Sequence, residues 1–206
     1  MDDDAIRRGK PSAHVKFGEA TAVLAGNSLL TLAFEIIASQ KYSITPKIKN
    51  EIIKSLAFCS GHSGIAGGQE LDLKFENKKK NFQQIIDMQK KKTGKLFSFC
   101  LYAVGVVAKR NKKEKNFLKK LGEEIGLLFQ IADDFLDVKG SKKKIGKPTK
   151  NDQKKGKSTL INLIGYKKTY NYAINLKKKI LLKLKKHGKK GRDLSNTIEF
   201  ILGRNF

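Results

Sequence analysis

The chain has no tryptophan, five tyrosines, three prolines and two cysteines in 206 residues. Each scarcity excludes something. Two thiols do not make a disulfide framework. Cys59 and Cys100 both fall in apolar helical stretches and read as buried and reduced, which predicts a cytoplasmic protein. Pro11, Pro46 and Pro148 leave long stretches of helical periodicity between them. No run of period two stands out, so the expected fold class is all-α. Without tryptophan, and with few tyrosines, there is no platform on which single-stranded nucleic acid could stack. No apolar run is expected to reach transmembrane length, and the acidic start MDDD is not a signal peptide. Acidic residues are scarce as well: 19 against 44 lysines and arginines, for a net charge of +25. Such a charge invites a nucleic-acid or anionic-membrane reading. The lysines, however, are spread thinly over most segments. Solvated basic helix faces, or a substrate carrying several phosphates, account for them, and no nucleic-acid partner is expected. The length suffices for a core, and residues 1–206 read as a single domain.

What is present centres on Phe129-Gln130-Ile131-Ala132-Asp133-Asp134-Phe135-Leu136-Asp137. Ile125, Leu128, Phe129, Ala132 and Leu136 make the apolar stripe of a helix. Gly126, Gln130, Asp133 and Asp137 form a second stripe beside it. Asp133 and Asp137 are one turn apart, so their carboxylates share a face and repel. A divalent cation relieves that repulsion. Carboxylates suit magnesium, which is usually held by one or two of them together with substrate phosphates. An isolated DDxxD is more often a solvated acidic turn, but the apolar flanks LLFQIA and FL favour a cavity lining.

The rest of the chain reads as a succession of helices. In MDDDAIRRG, Asp3/Arg7 and Asp4/Arg8 are spaced as ion pairs on a helical turn; alternatively, the acids hold a metal and the arginines a diphosphate. This segment has neither a cap nor a preceding element, so the chain looks cut at its start. Residues 17–39 form a long apolar helix expected in the core, with Gly26 allowing close packing. Thr45 and Pro46 open the next helix. The run Gly61-His62-Ser63-Gly64-Ile65-Ala66-Gly67-Gly68-Gln69 places glycine where a helix avoids it, as a close backbone approach would require. His62 reads as packed or solvated, and Gln69 and Asp72 lie at the mouth of the run.

Residues 81–110 form another long helix, interrupted by Lys92-Thr93-Gly94. Thr93 is expected to bond back to an earlier carbonyl and bend the helix. A bend presenting Lys92 and the Thr93 hydroxyl inward makes an anion site. Residues 115–138 are the central helix. The run ending Gly156-Lys157-Ser158-Thr159 imitates a phosphate-binding loop, but Asn151 stands where that motif needs its first glycine, and the run follows a helix rather than a strand. Two lysines preceded by glycine, Lys147 and Lys157, remain. They read either as cations closing over a metal-bound phosphate or as a basic surface loop. Residues 160–187 form a lysine-laden amphipathic helix, 188–192 a basic turn, and Asp193 caps a last helix over 194–203.

Taken in order, MDDDAIRRGKPSAH, GGQELDL, KTG, FQIADDFLD and GKPTKNDQKKGKST resemble the trans-type isoprenyl diphosphate synthases, with the bacterial farnesyl/geranylgeranyl diphosphate synthase group as the nearest likeness. The resemblance spans nearly the whole chain. It implies an all-α prenyl synthase bundle, usually homodimeric, that joins isopentenyl diphosphate to an allylic diphosphate such as dimethylallyl or geranyl diphosphate, giving farnesyl or geranylgeranyl diphosphate. It implies Mg2+ held by two facing aspartate-rich motifs. By motif position, Asp133 and Asp137 resemble magnesium ligands with Asp134 in support, and Asp2 resembles the last aspartate of the first motif. Arg7 resembles the allylic-diphosphate arginine and Arg8 the isopentenyl-diphosphate arginine. Lys92, Lys147 and Lys157 resemble the allylic-diphosphate lysines. Thr93 and Gln130 resemble residues that position the allylic substrate.

The chain departs from the family pattern at two places. The leading aspartate pair of the first motif and the helices ahead of it would precede Met1, so the resemblance implies a truncated member lacking its first helices. Leu160-Ile161 also stands where tyrosine-proline commonly follows GKST. Little turnover is therefore expected of these 206 residues alone. The alternatives are a non-catalytic truncated synthase or helper subunit and, explaining none of the ordered motifs, a basic nucleic-acid-binding protein.

Overall fold

A computed structural model of the chain describes residues 3–7, 9–139 and 156–203. Among these the fold is all-α, apart from one small hairpin of β1 (Ile6–Arg7) and β2 (Lys10–Pro11), in which Ile6 pairs with Pro11 and Arg7 with Lys10. The helical turn with stacked Asp3/Arg7 pairing is thus replaced by extended chain. Gly9, at φ +74°, reverses the direction, and Ser12 closes the hairpin by donating from its backbone N to the Ala5 carbonyl at 2.9 Å. Asp3 instead faces His14 at 3.3 Å.

The helices that follow are α1 (Ala13–Phe17), α2 (Glu19–Ala38), α3 (Pro46–Ser60), α4 (Ile65–Phe75), α5 (Phe82–Gln89), a π turn (Lys90–Gly94), α6 (Lys95–Val107) and α7 (Lys112–Lys139). After the gap come α8 (Leu160–Ile164), α9 (Tyr166–Lys185), a 3-10 turn (Gly188–Gly191) and α10 (Arg192–Gly203). Local chemistry sets several of the boundaries. The Thr45 hydroxyl accepts from the Ile48 backbone N–H, with Pro46 at the first helical position. Asn81 and Gln84 form a reciprocal capping box at the start of α5. Gly18 and Gly165, both at positive φ, split two runs expected to be continuous. Asp193 lies within the first turn of α10 rather than ahead of it.

α7 is the axis of the bundle, with α5, the π turn, α6, α9 and α10 packed around it. Leu121, Leu127, Leu128 and Ile131 are at most 1% exposed, and they meet Ile85 and Ile86 of α5, Ile180 of α9 and Ile198 of α10. Burial nearly all round explains why the acidic cluster of α7 sits in apolar sequence. On the side of α6, Glu51 of α3 accepts hydrogen bonds from Tyr102 (2.8 Å) and from Lys115 of α7. Desolvation, and then the Glu51 carboxylate, push the Tyr102 phenol up to about 12. Because its folded pKa is raised, the stability it confers is present below the ordinary tyrosine range and is lost as pH rises towards 12. Ultraviolet titration should show one phenol ionising near 12 that disappears in Tyr102→Phe and moves down in Glu51→Gln; an unchanged profile in Glu51→Gln would refute the coupling.

Three expectations fail at the surface. α2 has no buried residue, so it is not core, and a Cβ on Gly26 would meet nothing within 4 Å. Ala33, Phe34 and Ile37 are partly covered, whereas Val23, Leu24, Leu29, Leu30, Leu32 and Ile36 are exposed among the described residues. This 20-residue helix, with a window of mean hydropathy 1.6, also meets the length and composition of a membrane-crossing helix, against the expectation that no apolar run reaches that length. Cys100 is exposed rather than buried, whereas Cys59 is buried as expected. Desolvation nonetheless pushes both thiols above their ordinary range.

Candidate functional site

The site begins with the interruption in residues 81–110. The chain absorbs Lys92-Thr93-Gly94 as a π turn between α5 and α6, a form often found at functional sites. Thr93 does not bond back along its own helix. Its Oγ1 donates to Gln130 Oε1 of α7 at 2.7 Å. The turn can sit this close because Gly94 faces Gly126, where a Cβ would fall 2.6 Å from the Gly94 Cα. Gln130 passes the contact on: its Nε2 donates to Asp134 Oδ1 at 3.0 Å. Gln89 Nε2 donates to the other oxygen, Asp134 Oδ2, at 2.9 Å. Asp134 is only 3% exposed, and two amides hold its carboxylate in place.

The cations arrive from two other segments. Lys92 Nζ lies 2.6 Å from Asp72 Oδ2 of α4, and Lys157 Nζ lies 3.7 Å from the same oxygen. Lys157 is placed by its neighbours. Ser158 Oγ donates to the Phe75 carbonyl at 2.9 Å, the Asn77 N–H donates to the Gly156 carbonyl at 2.9 Å, and Thr159 caps α8 by accepting from the Asn162 N–H. Gly156 has φ +63°, and a Cβ there would fall 1.9 Å from Asn77 Oδ1. Asp72, Gln89, Lys92, Gln130, Asp134, Lys157 and Thr159 thus border one polar cavity of about 40 Å³. Gln89 Oε1 is buried without a hydrogen-bond partner among the described residues.

Lys92, Thr93, Gln130, Asp134 and Lys157 are therefore brought together. Asp133, half-buried, and Asp137, buried, lie on the same turns of α7. Arg7 is elsewhere: it lines a wide open hollow with Asp3, Asp4, Ser12, His14 and Glu19. Asp2, Arg8 and Lys147 lie outside the described residues. Among the described residues no group of three or more histidines, cysteines and carboxylates could enclose a metal ion. Asp133 and Asp137 still fit a magnesium ion whose remaining ligands are phosphate and water, because that ion takes only one or two carboxylates in such sites. Asp72 and Gln89, both at the cavity, had no role from sequence. Asp72 lies at the mouth of the glycine run, and Gln89 interrupts the buried stretch Ile85, Ile86 and Met88. A polar residue inside an apolar face was the available signal for Gln89.

The sequence and the fold of the chain are similar to those of known proteins. The sequence profile described as polyprenyl synthetase matches residues 1–198. The farnesyl diphosphate synthase of Bacillus subtilis is 38% identical over 185 residues, covering 88% of this chain and 62% of that protein. The farnesyl diphosphate synthase of Escherichia coli is 37% identical over 211 residues, covering 100% of this chain and 70% of that protein. Among solved structures, a geranyltransferase from Helicobacter pylori, in complex with magnesium and isoprenyl diphosphate, superposes with a TM-score of 0.86 at 34% identity, covering 98% of this chain and 66% of that one. A farnesyl/geranylfarnesyl diphosphate synthase from Zymomonas mobilis gives a TM-score of 0.85 at 35% identity. The chain thus spans a little over three-fifths of the length of the Bacillus relative. A profile that runs from the hairpin to the last helix, together with a shared fold, leaves one assignment: the chain belongs to the polyprenyl synthetase family.

Proposed function

We propose that the chain is the larger part of a prenyl diphosphate synthase, which condenses isopentenyl diphosphate with dimethylallyl or geranyl diphosphate to give farnesyl or geranylgeranyl diphosphate. The observation that carries this reading is the convergence of Lys92, Gln130, Asp134 and Lys157 at one polar cavity on the acidic turns of α7, with Thr93 bonded to Gln130 beside it. In this reading Asp133 and Asp137, together with Asp2, would hold Mg2+, which would supply positive charge to the departing diphosphate. Asp134, fixed by Gln89 and Gln130, keeps the acidic turns in register. Lys92 and Lys157, joined by Lys147, donate to the diphosphate oxygens of the allylic substrate as negative charge grows on them. Thr93 and Gln130 orient that substrate. Arg7 and Arg8 would serve the allylic and isopentenyl diphosphates respectively. The allylic carbon–oxygen bond breaks, the isopentenyl double bond attacks the resulting cation, and a proton leaves the condensed product; apolar walls keep water from the cation.

The test incubates purified chain, and a form extended upstream in frame, with Mg2+, labelled isopentenyl diphosphate and dimethylallyl, geranyl or farnesyl diphosphate. Magnesium-dependent prenyl product from the extended form is expected. Its absence from both forms would leave a non-catalytic member of the family and overturn the reading.

The reading also places the chain in the cytoplasm as one domain within a homodimer. Support for the dimer comes from exposed apolar side chains on three helices. On α2, Val23, Leu24 and Leu29 are 62%, 65% and 68% exposed. Phe58 of α3 and the stripe Leu96, Val104 and Val107 of α6 are exposed as well. Exposed apolar area of this extent marks a contact surface. Leu24→Glu combined with Leu29→Glu is expected to convert a dimer into a monomer in analytical ultracentrifugation. Flotation of the wild-type chain with lipid vesicles, lost in that variant, would instead assign α2 to a membrane.

A further inference from the structure

We propose that Asp72 is a positioning residue, whose buried carboxylate gathers the Lys92 and Lys157 ammoniums into one phosphate-facing pair. The proposal rests on the diphosphate reading above for its purpose, though its geometry can be tested without it. The two lysines belong to segments with no local reason to meet: one follows α5, the other precedes α8. α4 touches both. Gly68 lies so close to the π turn that a Cβ would fall 2.2 Å from the Lys92 backbone N. Asp72 follows Gly68 by one helical turn and so faces the same way. At its far end α4 leads into Phe75 and Asn77, which hold Ser158 and Gly156. One short helix therefore carries the backbone contact to the first lysine, the anchor for the second and the carboxylate between them.

Asp72 is 4% exposed, and the side chains of Lys157 and Lys92 are 10% and 20% exposed. Both ammoniums approach the same oxygen, Oδ2, at 2.6 and 3.7 Å. Each ammonium has three N–H donors, so a bond to Asp72 does not exhaust its capacity to donate. Without the carboxylate, two like charges would share a small cavity, and flexible lysine stems would let them part towards solvent. The Asp72 carboxylate between them keeps two mobile cations where a polyanion can meet both at once.

The test uses the chain with inorganic pyrophosphate and Mg2+ as the probe in titration calorimetry, alongside acetic anhydride labelling of individual lysines read by mass spectrometry. Asp72→Asn is expected to weaken pyrophosphate binding about tenfold, as loss of a placed charge-assisted contact does, and Asp72→Glu to restore most of it. In Asp72→Asn, labelling of Lys92 and Lys157 rises while Lys177, paired with Glu199 at 2.6 Å, is unchanged. Pyrophosphate binding equal to or tighter than wild type in Asp72→Asn would overturn the proposal, as would unchanged labelling of both lysines. If Asp72→Asn fails to fold, Lys92→Met decides. With the carboxylate to itself, Lys157 should label more slowly, and an unaltered rate refutes sharing. If wild-type chain binds no pyrophosphate, the diphosphate reading fails, while the labelling still judges the role of Asp72.

Discussion

Lys157→Ala is expected to lower kcat/KM for the allylic diphosphate by roughly 10² to 10³-fold in the form that turns over. Its ammonium is among the few cations that the described residues place inside the cavity, and its side chain is only 10% exposed. A charge held away from bulk water acts on a departing diphosphate more strongly than the many solvated lysines on α9. The loss should fall mainly on kcat, because negative charge on the leaving oxygens grows as the bond breaks. Lys157→Arg is not expected to restore the rate: a planar guanidinium does not replace a compact ammonium in a cavity of about 40 Å³. Steady-state kinetics with varied allylic diphosphate checks this. A raised KM with unchanged kcat would mean that Lys157 binds substrate without assisting ionisation.

Gly68→Ala and Gly26→Ala are expected to change stability in opposite directions. Both glycines lie inside helices, where alanine is intrinsically the better residue by about 1 kcal/mol. At Gly26 a Cβ meets nothing within 4 Å, so the intrinsic preference stands and the variant should be more stable by roughly 0.5 to 1 kcal/mol. At Gly68 the new Cβ would fall 2.2 Å from the backbone N of Lys92 and 2.6 Å from the Lys91 carbonyl carbon. Backbone cannot swing aside as a flexible side chain can, so α4 must lift away from the π turn. A loss of about 3 kcal/mol or more is expected, at the upper end of overpacking costs. Urea unfolding of the two variants checks the signs. The displaced α4 also carries Asp72, so pyrophosphate binding should fall in Gly68→Ala and stay unchanged in Gly26→Ala. Equal stabilities would show that the approach of α4 to the π turn is looser than these distances.

Much of the architecture was legible in the residues. Few prolines and continuous helical periodicity specify an all-α chain. Of the stripe Ile125, Leu128, Phe129, Ala132 and Leu136, the first, second and fourth are at most 4% exposed on the buried side of α7, while Phe129 and Leu136 are half-buried. Thr45-Pro46 and Asn81 announced helix starts, and the glycine run announced a close approach, made by Gly68 to the Lys91–Lys92 backbone. These features are local, and local sterics and hydrogen bonding decide them.

The errors have a common cause. α2 is as apolar as a core helix, and Cys100 lies in apolar sequence, yet both are exposed. Composition records that a surface shuns water, not whether its covering comes from the same fold, a second chain or a lipid. The hairpin at Ile6–Pro11 was missed because the i,i+4 spacing of Asp3 and Arg7 permits a helical turn, while the positive φ at Gly9 reverses the chain.

By itself, then, the sequence determined the helical class, the acidic turns of α7 and the identity of the chemical groups: carboxylates, ammoniums and a hydroxyl in family order. Only the tertiary structure decided how they are partnered. Thr93 turns to Gln130 rather than to its own helix, Asp134 is held by Gln89 and Gln130, and Asp72 stands between Lys92 and Lys157. Periodicity reports which side of a helix a residue occupies. Which neighbour faces that side depends on how helices distant in sequence pack, and at this site two close backbone contacts, at Gly68 and at Gly126, set that packing.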